Sequence, residues 1–474
     1  MAAPILNPRI FREYDIRGVA NRDLDDALVQ DLGRAIAARV CEHMAWKRPV
    51  VAVGRDCRLT SSRLFVALCE GLTERCDVID LGMVPTPLVY FASATLDVGG
   101  AVMITGSHNP PEDNGFKIMV AGATLHGDGI QGLRRAIEEA RSERYTMNDR
   151  GRGMILPQDL VPAYLAHNET SLRLGARRPK VVVDAGNGAG GPTAIALYRR
   201  LGFDPIALHC EPDGRFPNHH PDPTLPENLA DLQAAVAAHG AEVGLALDGD
   251  ADRLGAVDGT GRILWGDQLM ILLGKAVLDE VPGARFVGEV KCSQAMYDEL
   301  ERAGGKPEMW KVGHSLIKAR MKETGAALAG EMSGHLFFSH RWLGFDDAVH
   351  AGARLLELLS RGERTLAEHA AALPEMVNTP ELRVDCPDEL KFDVVARVTA
   401  RMRARPDVVG VVDVDGVRAR FDHGWGLVRA SNTQPALVVR CEADDAAHLA
   451  AIRAIVEQEI AEARAASAGA KEQP

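Results

Sequence analysis

The sequence predicts a multidomain α/β protein with mixed, largely parallel sheets. Short apolar runs recur along the chain, at residues 50–53, 180–183, 243–247 and 286–290. Longer amphipathic stretches lie between such runs, at residues 27–40, 62–74 and 229–238. Alternation of this kind is typical of helices layered on parallel strands. A chain of 474 residues is also too long for one ordinary core, so three or four domains are expected.

One local pattern occurs three times and predicts that three of the domains are similar. In each case an apolar strand runs directly into a loop of small and polar residues. The strands at 98–104, 243–247 and 326–329 lead into TGSHNP (105–110), DGDADR (248–253) and GEMSGH (330–335). Ligands of α/β sheets bind beyond the carboxyl ends of the strands, so these loops are candidate functional segments.

Shifts in composition predict four domains, at residues 1–150, 151–256, 257–370 and 371–474. The charged stretch 142–153 joins the first two, and DGTG at 258–261 predicts a hairpin turn. A smaller C-terminal α+β domain begins near 373–380. Its predicted strands are 408–412 and 436–440, and its predicted helices are 388–403 and 444–463. The last residues, rich in Ala, Lys and Gly, are expected to be a frayed tail.

Charge and cysteine usage exclude several classes of protein. The net charge is −12 and no basic stripe is present, which argues against nucleic-acid binding. A phosphorylated substrate would therefore need a local concentration of Arg and Lys. The eight cysteines are scattered without a CxxC pair, which predicts reduced thiols and a cytoplasmic location. Neither a signal peptide nor an apolar run long enough to span a membrane is visible.

The segment TGSHNPPEDNGFK (105–117) is the first candidate site. Ser107 lies between Gly106 and His108 at the end of a predicted buried strand, where we expect an exposed hydroxyl. Lys117 can return to the same place after the turn. A serine that accepts and donates a phosphoryl group needs such a hydroxyl, nearby cations and a proton relay. By itself the segment also fits an ordinary turn, because Asn-Pro-Pro and Asn-Gly are turn formers.

The loop DGDADR predicts a site for a hard cation. Asp248, Asp250 and Asp252 can converge on one face of a tight loop, and carboxylate oxygens suit Mg²⁺. The loop does not fit an EF-hand, because Arg253 and Gly259 stand where that motif needs Gly and Glu. The alternative is a solvated acidic turn.

Three further segments carry weaker signals. In GEMSGH, an extended conformation would put Glu331, Ser333 and His335 on one side, where a carboxylate and a hydroxyl suit sugar hydroxyl groups. FREYDIRG (11–18) holds Tyr14 and Arg17 and is uninformative alone. RASNTQP (429–435) offers a guanidinium and short donors that could hold a phosphate; these residues are Arg429, Ser431, Asn432 and Thr433.

Two other segments are interpreted as structural. His219 and His220 lie in the Pro-rich stretch PNHHPDPT, for which a stiff loop is the better interpretation than a metal site. DAGNGAGG (184–191) follows a strand but lacks the G-x-G-x-x-G spacing of a dinucleotide-binding loop. Tight packing between a strand and a helix is the expected reason for its glycines.

Taken in order, the five motifs resemble the α-D-phosphohexomutase superfamily over nearly the whole chain. GEMSGH is similar to the bacterial phosphomannomutase/phosphoglucomutase branch. Phosphoglucosamine mutases tend to have Gln in place of Met332, and pure phosphoglucomutases tend to end this loop in Gly rather than His335. A phosphoglucosamine mutase is the alternative within the superfamily. A phosphatase and a sugar-phosphate-binding regulator are alternatives of other classes.

The resemblance implies three related α/β domains and a smaller domain that closes over the site. It implies that Ser107 is a phosphoserine and that Asp248, Asp250 and Asp252, with the serine phosphate, hold Mg²⁺. Glu331 and Ser333 would contact sugar hydroxyls, and the RASNTQP residues would hold the non-reacting phosphate. The remaining positions similar to family contacts are Arg17, His108, Lys117, Arg253, Lys291, His314 and His335.

The implied reaction interconverts hexose 1-phosphate and hexose 6-phosphate of glucose or mannose. A glucose or mannose 1,6-bisphosphate serves as intermediate and activator, and Lys117 and His335 are the candidates for proton transfer. The expected partners are small hexose phosphates, not nucleic acid or a membrane, and the expected oligomeric state is a monomer or weak dimer.

Overall fold

The computed structural model describes residues 6–43, 48–142, 151–431 and 434–471. The chain divides into two compact units. The first contains Met1–Leu269 and Ser333–Ala371, and the second contains Met270–Met332 and Ala372–Pro474. Each unit is described by itself.

The first sheet of the first unit is mixed. It is built from β1 (Ile16–Val19), β2 (Val50–Arg55), β3 (Asp77–Met83), β4 (Gly100–Ile104), β5 (Asp113–Val120), β6 (Ala123–Thr124) and β7 (Ile155–Pro157). The helices are α1 (Ala20–Asp23), α2 (Asp26–His43), α3 (Ser61–Leu72), α4 (Thr86–Thr95) and α5 (Asp128–Ser142), after a 3₁₀ turn at Pro8–Ile10. The strand order is β1-β5-β4-β2-β3-β7, with β6 beside β5. Strands β4, β2, β3 and β7 are parallel, whereas β5 is antiparallel to β4.

A second sheet in this unit repeats the arrangement. Its strands are β8 (Val181–Asp184), β9 (Ile206–Leu208), β10 (Val243–Leu247), β11 (Leu254–Asp258) and β12 (Ile263–Leu264). Helices α6 (Val161–Ser171), α7 (Gly191–Arg200) and α8 (Ala230–His239) and a 3₁₀ turn at Pro226–Leu229 accompany them. The order is β12-β11-β10-β8-β9; β10, β8 and β9 are parallel, and β11 turns back antiparallel to β10. All residues of β4 and β10 are buried, as expected of strands covered on both faces.

The next part of the chain begins with α9 (Gly266–Leu278). In the second unit it continues with β13 (Arg285–Glu289), α10 (Gln294–Arg302), β14 (Lys306–Trp310), α11 (His314–Thr324) and β15 (Leu328–Gly330). These strands are parallel, in the order β14-β13-β15. The chain then contributes β16 (Leu336–Phe338), α12 (Ala348–Arg361) and α13 (Leu366–Ala371) to the first unit.

The C-terminal part of the second unit is an antiparallel sheet with two helices. Its strands are β17 (Val377–Asn378), β18 (Leu382–Asp385), β19 (Gly410–Val412), β20 (Val417–Phe421), β21 (Gly424–Ala430) and β22 (Ala436–Ala443). Helices α14 (Asp388–Ala404) and α15 (Ala446–Lys471) share its apolar core. A buried cation ties this part to β13: Arg418 donates to the carbonyls of Val290 and Cys292 at 2.7 Å each and stacks on Trp425.

The predicted fold class is confirmed: three sheets contain parallel strands, and the C-terminal part is a smaller α+β arrangement. The hairpin turn at 258–261 is confirmed, because it joins β11 to β12. The frayed tail is wrong as far as Lys471, since α15 continues to that residue. The four domain boundaries stay a prediction. All eight cysteines are free thiols, and no helix in the described part of the chain is long and apolar enough to cross a membrane.

Candidate active site

The loop between β4 and β5 holds Ser107 in a fixed position. The residue has a left-handed backbone (φ 50°), and its amide donates to Thr105 Oγ1 at 2.8 Å. The guanidinium of Arg58, fully buried and paired with Asp56, donates to the carbonyl oxygens of Ser107 (2.7 Å) and Asn109 (2.6 Å). The serine is only 2% exposed, so the prediction of an exposed hydroxyl is wrong. The reason is that a second loop packs directly on it.

That second loop, between β10 and β11, carries the three aspartates. An ideal Cβ on Gly249 would lie 2.5 Å from the carbonyl oxygen of Ser107, so only a glycine allows this approach. As a result the Ser107 hydroxyl donates to Asp248 Oδ2 at 2.9 Å, and its Oγ lies 3.0 Å from His108 Nδ1. The structure therefore brings the candidate nucleophile to the acidic loop.

Asp248, Asp250 and Asp252 are fully buried, and each offers an oxygen within 4.8 Å of the others. Burial, and then the charges of Asp252 and Asp250, raise the pKa of Asp248 well above its usual range. Two oxygens, Asp250 Oδ1 and Asp252 Oδ1, are buried without a hydrogen-bond partner among the described residues. Unpaired carboxylate oxygens are unfavourable in a protein interior unless a cation is bound. The three residues thus fit a hard divalent metal such as Mg²⁺.

Lys117, on β5, supplies the nearest cation. Its ammonium contacts Asp250 Oδ2 at 2.6 Å and Asp252 Oδ2 at 2.5 Å. Burial alone would lower the pKa of Lys117, but the neighbouring carboxylates outweigh burial and raise it. Burial likewise opposes ionisation of Asp252, and the charge of Lys117 reverses the effect and lowers its pKa. The lysine is therefore held as an ammonium beside the serine loop.

His335 lies against the acidic loop from another part of the first unit. Arg253 Nε donates to His335 Nε2 at 3.0 Å. The other ring nitrogen, Nδ1, is 3.1 Å from Asp346 Oδ2 and 3.6 Å from Asp252 Oδ1. The extended conformation predicted for this segment is wrong, because residues 332–334 form a turn in which Gly334 has φ 95°. Ser333 is partly exposed in that turn.

The first strand adds a further cation to the serine loop. Arg17, on β1, donates to Asn109 Oδ1 at 2.8 Å and to Asp15 Oδ2 at 2.5 Å. Tyr14 is partly exposed just before this strand. Burial lowers the pKa of His108, and Arg253 and Arg17 lower it further, so the imidazole is neutral. The local cations expected from the charge argument are present.

The second unit collects Lys291, His314 and Glu331 around β13 and α11. Glu331 Oε1 accepts from the amide of Gly313 at 2.7 Å, directly before His314. Lys291 donates to Glu381 at 3.2 Å and lies 3.9 Å from Glu289.

Burial raises the pKa of Glu289 to about 7, although Lys291 opposes the effect. The pKa of Lys291 is raised by the surrounding carboxylates against burial.

Arg429 and Ser431 are at the end of β21 in the same unit. Arg429 Nε donates to Asp415 Oδ2 at 3.0 Å, and the amide of Val312 donates to the same oxygen at 3.0 Å. The carbonyl of Ser431 accepts from Lys391 at 2.7 Å. Asn432 and Thr433, also predicted to bind phosphate, lie outside the described residues. Asp415 therefore links Arg429 to the segment that carries Gly313 and His314.

The sequence did not predict four residues that contact the predicted site residues or their loops. Asp56 and Arg58 lie beneath the serine loop, the carboxylate of Asp346 lies beside Nδ1 of His335, and Asp415 holds Arg429. None belongs to a recognised motif, and their partners are far away in the chain. The one available signal was the position of Asp56 and Arg58 just after an apolar strand, the same place where the three functional loops begin.

Four family models match the chain. They are described as phosphoglucomutase/phosphomannomutase alpha/beta/alpha domain I (residues 8–144), domain II (162–261), domain III (265–377) and C-terminal domain (381–459).

Among curated relatives, a phosphomannomutase/phosphoglucomutase of Pseudomonas aeruginosa is 46% identical over 461 residues, covering 97% of this chain and 96% of the relative. A phosphoglucomutase of Neisseria gonorrhoeae is 44% identical over 446 residues, covering 94% and 95%. A crystal structure of a phosphoglucomutase/phosphomannomutase family protein from Burkholderia thailandensis superposes with a TM-score of 0.89 at 41% identity, covering 97% of this chain and 98% of that one.

Proposed function

Because this chain belongs to the phosphoglucomutase/phosphomannomutase family and is a phosphohexomutase, we propose that it interconverts the 1- and 6-phosphates of glucose and mannose through phosphorylated Ser107. The resemblance carried by the five motifs is thereby confirmed. One observation supports the role of this serine above all. Its hydroxyl donates at 2.9 Å to Asp248, in a loop whose other carboxylates hold Lys117.

The proposed reaction consists of two transfers. In the first, the bond between phosphorus and Ser107 Oγ breaks, and a new bond forms to the free hydroxyl oxygen of a hexose monophosphate. Lys117 and His335 are the candidates for proton transfer: His335 can accept the proton of the attacking hydroxyl, and the ammonium of Lys117 can donate a proton to the departing Ser107 Oγ. The resulting 1,6-bisphosphate turns end over end. Its other phosphoryl group then bonds to Ser107 Oγ, which leaves the isomeric monophosphate.

We assign Asp248, Asp250 and Asp252 to binding of Mg²⁺, which would offset negative charge on the phosphoryl oxygens. The support is their mutual approach and the two buried oxygens that have no hydrogen-bond partner in the part of the chain that the structure describes. Lys117 and Arg253 place fixed positive charge at the same loop, where burial strengthens their effect. Asp346 places a carboxylate oxygen 3.1 Å from Nδ1 of His335.

We assign the remaining residues to substrate binding. Glu331 and Ser333 would accept and donate hydrogen bonds with sugar hydroxyls, and Tyr14 and His314 would contact the sugar phosphate. Lys291, Arg429 and Ser431, together with Asn432 and Thr433, would hold the phosphate that is not reacting. Support comes from the shared network in which Asp415 ties Arg429 to the segment before His314.

The proposal is tested by measuring turnover of glucose, mannose and glucosamine 1-phosphates, each with catalytic glucose 1,6-bisphosphate. Glucose and mannose phosphates should be converted to 6-phosphates at comparable rates, and glucosamine phosphate much more slowly. Preference for glucosamine phosphate would identify a phosphoglucosamine mutase instead. Inorganic phosphate released as fast as isomerisation would identify a phosphatase.

A further inference from the structure

A second group of metal-ligating side chains lies in the first unit, outside the site described above. Asp184, His209 and His219 each offer a ligand atom, and these atoms are within 4.8 Å of one another. Asp184 is the last residue of β8, and His209 directly follows β9, the parallel neighbour of β8. His219 comes from the loop that follows. Three separate segments thus converge on one point.

The hydrogen bonds of the two imidazoles suit metal binding. Nε2 of His209 lies 3.0 Å from Asp231 Oδ2, and Nδ1 of His219 lies 3.0 Å from the carbonyl oxygen of His220. Because each acceptor takes an N–H, the opposite ring nitrogen is left with its lone pair. Metal-ligating histidines nearly always have their second nitrogen fixed by a carboxylate or carbonyl in this way.

The same hydrogen bonds create a conflict that a cation would remove. With Nδ1–H of His219 directed to the His220 carbonyl, the lone pair on Nε2 faces Asp184 Oδ2 at 3.0 Å. Asp184 is 1% exposed and also accepts from the amide of Gly186 at 2.9 Å, so its carboxylate is fixed. A lone pair and a buried carboxylate at this distance repel each other unless a proton or a metal ion lies between them.

We propose that Asp184, His209 and His219 bind a divalent transition metal, Zn²⁺ being the best match to two imidazoles and one carboxylate. The ion would cross-link the ends of β8 and β9 to the loop that carries His219. This loop packs beside the acidic loop, since an ideal Cβ on Gly249 would lie 3.4 Å from Pro221. The role is structural: the ion would hold the loop behind the three aspartates without touching substrate.

The alternative occupant is a proton. Burial alone would lower the pKa of His219, but the hydrogen bond to Asp184 raises it, so an imidazolium–carboxylate pair fits the same space. The two occupants differ in a measurable way. A protonated pair binds no metal, and His209 would then contribute nothing to the cluster.

Cobalt provides the test, because four-coordinate Co²⁺ with imidazole ligands absorbs visible light more strongly than six-coordinate Co²⁺ held by oxygens. The full-length protein is stripped of metal with a chelator and titrated with Co²⁺. Wild type should show the nitrogen-ligand spectrum, and His209→Ala and His219→Ala should lose it. In equilibrium dialysis with Zn²⁺ each variant should hold one ion fewer per chain.

His423→Ala is the matched control, because His423, Asp444 and His448 form a largely exposed His/Asp cluster in the second unit. It should keep the spectrum. A wild-type protein that shows no nitrogen-ligand spectrum overturns the proposal, whether or not any variant folds. A spectrum that survives in His209→Ala but disappears in His423→Ala also overturns it and assigns the metal to the other cluster. Zn²⁺ should raise the melting temperature of wild type and leave that of His209→Ala unchanged.

Discussion

Ser107 and Asp248 are 141 positions apart in the chain, yet the serine hydroxyl donates a 2.9 Å hydrogen bond to Asp248 Oδ2. Each residue follows a fully buried strand, β4 or β10, and in both sheets the chain then turns back antiparallel. The repeated turn leaves a short loop at the end of each strand, and Gly249 lets the two loops touch. The candidate nucleophile and the candidate metal ligands are thus neighbours because two similar sheets end in the same way.

Replacing Ser107 with Ala should abolish turnover but preserve folding. Activity should fall to below roughly one thousandth of wild type, as for loss of a nucleophile elsewhere. Stability should change by only about 1 kcal/mol, since one hydrogen bond is lost. Asp248 keeps the bonds that its Oδ1 accepts from the amides of Asp252 and Arg253. Intact-mass spectrometry should show one phosphate on wild type, mapped to Ser107, and none on the variant.

Ser171→Ala, at the end of α6, is the control and should retain both phosphate and activity. A phosphate that maps to any other residue would contradict the assignment.

Asp250→Asn should weaken Mg²⁺ binding and lower the rate with little change in melting temperature. The substitution removes one negative ligand, while Lys117 keeps its contact with Asp252. Residues that only hydrogen-bond to metal ligands contribute roughly 10- to 100-fold to metal affinity. Loss of a direct ligand should therefore lower the Mg²⁺ affinity by at least that factor. Binding is measured by titration calorimetry and activity by a coupled assay. Asp204→Asn, an exposed change of the same charge, should behave as wild type. Full activity of the wild type after chelation would show that the cluster is not catalytic.

The buried carboxyl group of Asp347 predicts that the free energy of unfolding depends on pH. Burial raises the pKa of Asp347 to about 7, although Tyr164 and the amide of His350 donate to it. The pKa of Asp347 is higher in the folded state than in the unfolded state. Its contribution to folding stability is therefore complete below about pH 4 and is lost as the pH rises through 7.

Asp347→Asn can accept both hydrogen bonds without ever ionising. The variant should therefore gain stability relative to wild type between pH 4 and 8, by a few kcal/mol. Urea unfolding at several pH values measures the difference. A difference between the two proteins that does not vary with pH would refute the shift, and Asp159→Asn, exposed on the surface, should show no such trend.

The sequence alone predicted the strands that end at the site and the polar residues that follow them. Periodicity and composition are local, so the runs at β2, β8 and β10 could be found within one or two residues. The supports of those residues are not local. Arg58 reaches carbonyls about fifty positions away, and nothing near Asp346 or Asp415 marks them as partners of His335 or Arg429.

Contacts between distant parts of the chain and local backbone conformation also explain the two wrong predictions at the site, which are the exposed hydroxyl of Ser107 and the extended conformation of GEMSGH. Burial of Ser107 depends on Gly249, in a loop between two strands of the other sheet, and the turn at 332–334 depends on the left-handed backbone of Gly334. An alternating Glu-x-Ser-x-His pattern cannot distinguish that turn from an extended segment.

Arg429→Ala should weaken binding of the phosphate group that is not reacting. The proposed mechanism needs an anchor that takes either phosphate of the bisphosphate while the other end meets Ser107. Arg429 is 5% exposed, and Asp415 holds its Nε atom at 3.0 Å, so the guanidinium is fixed in orientation. A fixed guanidinium suits bidentate binding of phosphate. Removal of the Arg429 guanidinium should raise KM for both hexose 1-phosphates and hexose 6-phosphates by roughly tenfold or more, as for loss of a charge-assisted hydrogen bond.

The same variant should also release more glucose 1,6-bisphosphate during turnover, because the intermediate is held less firmly while it turns. Ser107 should still become phosphorylated when bisphosphate is supplied in excess, since its own loop is unchanged. Free bisphosphate is measured enzymatically during turnover of wild type, Arg429→Ala and Arg420→Ala. The last removes an exposed arginine from the neighbouring strand β20 and should leak no more than wild type. Equal leakage from all three proteins, with unchanged KM for both substrates, would mean that Arg429 supports the C-terminal sheet and does not anchor phosphate.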